Sequence, residues 1–274
     1  MVWIAIILGV FIGLVTFALM FSLYNGRFIL SIVASGIIGI SIFYFAEHYV
    51  VPEAELAYLQ HQIKKSPIMN TVAKAEPQRF NTYLHDVRAM LYQGGEPSNA
   101  LIMAHQLIHD IFPKYLSHAS NASIDIYVRS TLTLYRQLEK ANPAYVVYAE
   151  FPQTVSSTDV IPLLRYNYNR YIQNRQEAMQ MVIRSAINDP QNIDANELGQ
   201  TILTKIIQNL GDRYGADAVI KTIATPNDPT LARTTEAHII MAFYQNILKQ
   251  GTNKAGAIMR FIASEAEEKQ IHSQ

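Results

Sequence analysis

The sequence contains no cysteine. Disulfides, thiolate nucleophiles, Cys-ligated zinc and iron–sulfur clusters are therefore excluded. Charge is scarce as well. Asp, Glu, Lys and Arg make up 16% of the 274 residues, where a soluble domain carries about 25%. The shortage is local: residues 1–46 hold no Asp, Glu or Lys, and one basic residue, Arg27. Beyond that segment acidic and basic side chains nearly balance, so the chain lacks an overall electrostatic footprint for nucleic acid. Catalytic templates are missing too. There is no HExxH, no Walker A, no GxSxG and no strand-borne GxGxxG. No cofactor is expected. Sustained period-two alternation is also absent, which argues against a sheet.

Long apolar runs are what the N-terminus does have. Val2–Tyr24 and Phe28–Ala46 carry no charge. As helices they span ~28–35 Å, close to the ~30 Å hydrocarbon core of a bilayer. Lipid offers a backbone no hydrogen bonds, so helices are the expected state. Asn25-Gly26, which between short runs would suggest a β-hairpin, reads here as the tip of an αα-hairpin. Gly9 and Gly13 form GxxxG, and Ser35 with Gly39 forms a small-xxx-small pair. Such faces let membrane helices approach closely. A cleaved signal peptide fits less well, because a basic start is missing and a second apolar run follows. Arg27 favours a cytoplasmic tip, which places the large domain on the periplasmic side of a bacterial inner membrane.

The remainder is expected to be all-α. Helices are predicted from Pro52 to Ser66-Pro67, over a stripe of Phe80, Leu84, Val87 and Leu91, over 97–112 with a stop at Pro113, and over 122–141. Residues 68–76 read as a linker. "YVVYAEF" (145–151) suits a strand or a helical turn equally. "PQTVSSTD" (152–159) marks an internal break, and a long helix is predicted from Pro162 to Ile187. Asp194 with Glu197 resembles a capping box opening a helix that ends at Gly211. The expected organisation is a transmembrane hairpin at 1–48, a membrane-proximal helix and linker at 49–76, and a helical domain at 77–274. "GADAVIKTIA" (215–224) and "KAGAIMRFIA" (254–263) echo each other at a spacing of 39 residues. That spacing suits helical-hairpin repeats of TPR-like style.

Two groups of residues invite a chemical reading. His105 and His109 stand at i and i+4 in "AHQLIHD", with Asp110 next, and His85 belongs to the preceding helix. Folded together they could hold a metal ion for ester hydrolysis. The order of His85, His109 and Asp110 resembles the HD phosphohydrolase pattern, although Ile111-Phe112-Pro113 follows where that family has a small, Gly-containing turn. The second group is "LLRYNYNRYIQNR" (163–175). Tyr166/Arg170 and Tyr171/Arg175 are i,i+4 pairs suited to guanidinium–ring stacking. Arg165, Tyr166, Asn169, Arg170 and Arg175 form the candidate partner-binding set. Together these features lead us to expect a non-enzymatic, membrane-anchored scaffold that holds or assembles a protein partner. A membrane-tethered metal-dependent hydrolase and an envelope glycan- or lipid-binding module are the alternatives.

Overall fold

A computed structural model describes residues 51–151, 169–191 and 196–272. These residues form eleven helices and no strand. They are α1 (Val51–Lys65), α2 (Pro67–Ala75), α3 (Pro77–Tyr92), α4 (Pro97–Leu116), α5 (Asn121–Ala141), α6 (Ala144–Glu150), α7 (Asn169–Asn188), α8 (Asn196–Tyr214), α9 (Ala216–Ala224), α10 (Arg233–Lys249) and α11 (Thr252–His272). No helix among the described residues is long and apolar enough to cross a membrane. The apolar runs with Gly9, Gly13, Ser35 and Gly39, the break at 152–159 and the cap at Asp194 lie outside the described residues.

The chain divides into two units: residues 1–65 with 81–101, and residues 66–80 with 102–274. In the first, Leu56, Leu59, Val87 and Leu91 are buried. Glu53 on α1 accepts hydrogen bonds from Arg88 Nε at 2.9 Å and Tyr92 Oη at 2.7 Å on α3. These two partners hold its carboxyl below the usual carboxylate range. The Tyr83 hydroxyl donates to the Ala100 carbonyl at 3.2 Å, and burial pushes that phenol up to about 12.

In the second unit, α5 is the central helix, packed against α6, α7, α10 and α11. Ser120 caps it by accepting from Ser123 N. Its apolar stripe of Ile124, Tyr127, Val128, Leu134, Tyr135 and Leu138 is buried throughout, as its periodicity predicts. Helices α8–α9 and α10–α11 follow as hairpins. Gly215 (φ 90°) and Gly251 (φ 82°) turn them in a backbone region that other residues rarely adopt. Glu236 on α10 is completely buried. It accepts from Arg233 Nη1 at 2.5 Å and from Asn227 N at 3.0 Å, while Arg233 also donates to the Asn227 and Asp228 carbonyls. This clamp holds the 225–229 loop.

Three local expectations change. Residues 67–75 are not a linker but helix α2. Pro67 starts it, and Ile68, Met69 and Val72 are buried along one face. Gln180 on α7 donates to Thr71 at 2.8 Å, and Glu76 accepts from Lys114 and Tyr115 on α4. Helix α4 does not stop at Pro113 but runs to Leu116. A proline in the last turn removes only one ladder bond, and burial of Tyr115 and Leu116 offsets it. Helix α8 passes Gly211 and ends at Tyr214, because Gly215, not Gly211, adopts the positive φ. The ambiguous 145–151 run is largely the short helix α6.

Candidate functional site

The second unit holds a partly buried polar cluster contributed by α4, α5, α6, α7 and α10. Its acid is Glu150, the last residue of α6. Tyr135 on α5 donates a short hydrogen bond to Glu150 Oε2. Tyr244 on α10 donates to Glu150 Oε1 at 2.9 Å. The two phenol rings meet edge-on, with centroids 5.7 Å apart. Burial raises both phenols well above their ordinary value, and the neighbouring Glu150 adds to the effect. Both hydroxyls therefore stay protonated and able to donate.

The base is Arg175 on α7. Its guanidinium carbon lies 5.9 Å from the Tyr127 ring centroid and 5.8 Å from that of Tyr135. Phe112 of α4 packs against Tyr127, with ring centroids 5.0 Å apart. Burial opposes the charge on Arg175, but the surrounding phenols and Glu150 outweigh it and the guanidinium stays charged. No ion-pair contact joins Arg175 to Glu150; the carboxyl oxygens are engaged by the two phenols. The single hydrogen bond of Arg175 among the described residues is Nη2 to Tyr127 Oη, at 3.5 Å. Its Nε is sealed from solvent without a partner. His105 on α4 completes the cluster. Burial, with Arg175 and His109 adding to it, pulls the His105 imidazole down to about 4, so it is neutral at pH 7.

The expected metal set is divided between the two units, and its members in the second unit do not converge. His105 turns inward, whereas His109 and Asp110 face solvent with His109 Nδ1 3.4 Å from Asp110 Oδ1. His85 belongs to the first unit and sits in the same exposed relation to Asp86, also at 3.4 Å. The i,i+4 spacing places His105 and His109 on neighbouring parts of α4, but the boundary between core and solvent runs between them. Among the described residues no group of three or more His, Cys, Asp or Glu stands close enough to share a metal ion.

The partner-binding set is also split. Arg165 and Tyr166 lie outside the described residues. Asn169 and Arg170 are exposed at the start of α7. Arg175 leaves that face and stacks on α5 tyrosines instead of on Tyr171. The physical reason is that five and six residues separate it from Arg170 and Asn169, about one and a half turns.

Tyr127 and Tyr135 belong to the stripe legible in the sequence, but their polar partners do not. One signal was available: Glu150 is the sole charge in "YVVYAEF", and an acid in an apolar run needs a donor when buried. A nucleophile-like contact elsewhere is structural. Ser117 Oγ lies 2.8 Å from His118 Nδ1, but Glu267 reaches the serine rather than the imidazole, and Ser117 is fully buried. No protein-family model, curated protein or solved structure matches this chain.

Proposed function

We propose that this protein is a membrane-tethered, non-enzymatic helical adaptor that holds a protein partner through helix α9. One observation carries the reading: two related helices differ in what covers them. The echo at a spacing of 39 residues aligns α9 with α11. Ala255, Met259 and Ala263 of α11 are buried, Met259 to 4% exposure, beneath α5 and α8. Their counterparts on α9, Ala216, Ile220 and Ala224, are exposed. Ile220 stands 61% and Ile223 55% open, while Val219 and Thr222 face α8 and α10. Arg260 of α11 donates to the Ala119 carbonyl, whereas its counterpart Lys221 pairs with exposed Asp217. Thus α9 offers the packing face of a hairpin repeat with no further helix on it among the described residues.

A patch of two isoleucines is far smaller than the ~800 Å² per partner of a stable protein interface. That size suits a short amphipathic helix of a partner, seated as a helix on a groove, rather than a second copy of the whole unit. The tether is the pair of uncharged runs at 2–24 and 28–46. The reading is tested by crosslinking mass spectrometry on native membranes. The chain is expected to remain in the carbonate-washed membrane fraction and to crosslink one partner through Lys205 and Lys221. Ile220→Glu with Ile223→Glu is expected to abolish those crosslinks. Recovery of the chain in the wash, or the same crosslinks in the double variant, refutes it.

A further inference from the structure

The Arg175 cluster raises a question that helix packing leaves unanswered. Guanidinium has five N–H donors. Arg175 uses one, in a long bond to Tyr127, while its faces are taken by aromatic rings. The obvious counter-charge, Glu150, is bound by Tyr135 and Tyr244 instead. Arg175 Nε is sealed from solvent without a partner, and an unsatisfied buried donor is rare enough in a folded protein to call for an account.

We propose that Arg175 is the anchor of a binding site for a small monoanionic carboxylate, with Tyr127 and His105 as its neighbouring hydrogen-bonding groups. Three observations support it. First, Arg175 keeps part of its surface, and among the described residues its Nη1 is neither bonded nor sealed, so an acceptor can arrive at the Nη edge. That edge matches the two oxygens of a carboxylate in a forked pair. Second, the neutral imidazole of His105 offers an N–H without adding charge. Third, Glu150 already supplies one negative charge to the cluster. A single further charge leaves it modestly anionic, whereas dianionic phosphate meets stronger repulsion. The site thus selects carboxylate over phosphate by charge as well as by shape.

The test uses the full chain in detergent, titrated with acetate or inorganic phosphate at constant ionic strength set with chloride. Binding is read from tyrosine difference absorbance, which reports Tyr127 and Tyr135, and by calorimetry. Acetate is expected to give a saturable response, and phosphate at least tenfold weaker binding. Arg175→Lys, which keeps the charge but loses the fork, is expected to weaken acetate at least tenfold. Tyr127→Phe keeps the ring and loses the hydroxyl. It is expected to weaken acetate about fivefold, the equivalent of one ordinary hydrogen bond. Helical circular dichroism checks that each variant is folded; if Arg175→Lys is not, Tyr127→Phe decides. A non-saturable acetate response, equal binding of phosphate, or unchanged affinity in the folded variants overturns the proposal.

Discussion

Two glycines on one helix provide a sharp test of how α8 is packed. Gly199 and Gly211 both lie within α8, and alanine is the same substitution at each. A methyl group at Gly199 would lie 2.5 Å from the Ala257 carbonyl oxygen and 2.8 Å from Phe261 Cβ on α11. Both distances are below van der Waals contact, and the first partner is backbone, so α8 and α11 must separate. Overpacking of this kind costs ~1–3 kcal/mol, and the helix propensity of alanine returns only ~1 kcal/mol. With a backbone oxygen as the obstacle, Gly199→Ala is expected to destabilise by about 1–2 kcal/mol. At Gly211 the methyl would meet only Ala216 atoms at 3.7 and 3.9 Å, an ordinary contact. There the propensity gain stands alone, and Gly211→Ala is expected to stabilise by ~0.5–1 kcal/mol. Thermal melts followed by far-UV circular dichroism should place the two variants on opposite sides of wild type, ~4–10 °C apart. Denaturant midpoints should move in the same order without a change in slope. Gly199→Ala at or above wild type, or both variants shifting in one direction, would refute the close α8–α11 approach.

The remaining predictions concern buried charge. Arg233→Met leaves fully buried Glu236 without its cation, so we expect a loss of ~3 kcal/mol by denaturant unfolding, with Arg233→Met/Glu236→Gln recovering part of it. Recovery of none would mean that the clamp acts through the 225–229 loop alone. His105 sets an acid limit. Its folded imidazole is depressed from 6.5 to about 4, so between those values the unfolded chain takes up a proton that the folded chain refuses. Stability therefore falls as pH drops across that window and levels below it, by up to about 3 kcal/mol from this group. Carboxylates such as Glu53 and Glu76 titrate in the acid range too, so the decisive quantity is the difference from His105→Gln. That variant should show a shallower acid slope; an identical slope would remove His105 from the account.

How these charges are buried bears on what the chain can do. In one cluster Tyr135 and Tyr244 donate to Glu150 while Arg175 donates to Tyr127, so guanidinium donors remain for an incoming acceptor. The proposed carboxylate site and the α9 face are independent features. The first proposal concerns a small anion at the guanidinium edge, and the second a partner helix on two exposed isoleucines. If both tests succeed, the next measurement is whether acetate changes partner crosslinking at Lys221.

The sequence by itself determined the helical class, the limits of α1 and α5 to within a residue and the buried stripe of α5, because backbone hydrogen bonding and a 3.6-residue period are local properties. Ile124, Val128 and Leu138 could be placed inside without knowing what would cover them. Proline and glycine were less decisive, since tertiary burial carried α4 past Pro113 and α8 past Gly211. The segment 68–76 reads as a linker because its residues are mostly small or polar, yet Ile68, Met69 and Val72 dock as part of α2. Arg175 and His105 show the deeper limit. Both are amphipathic, and periodicity alone assigns such side chains to neither core nor solvent. Tertiary structure brought Tyr135, Glu150, Arg175 and Tyr244 together from four helices, and in doing so left α9 open where α11 is covered. Those outcomes depend on which helix faces meet, a non-local matter that no single stretch of the chain encodes.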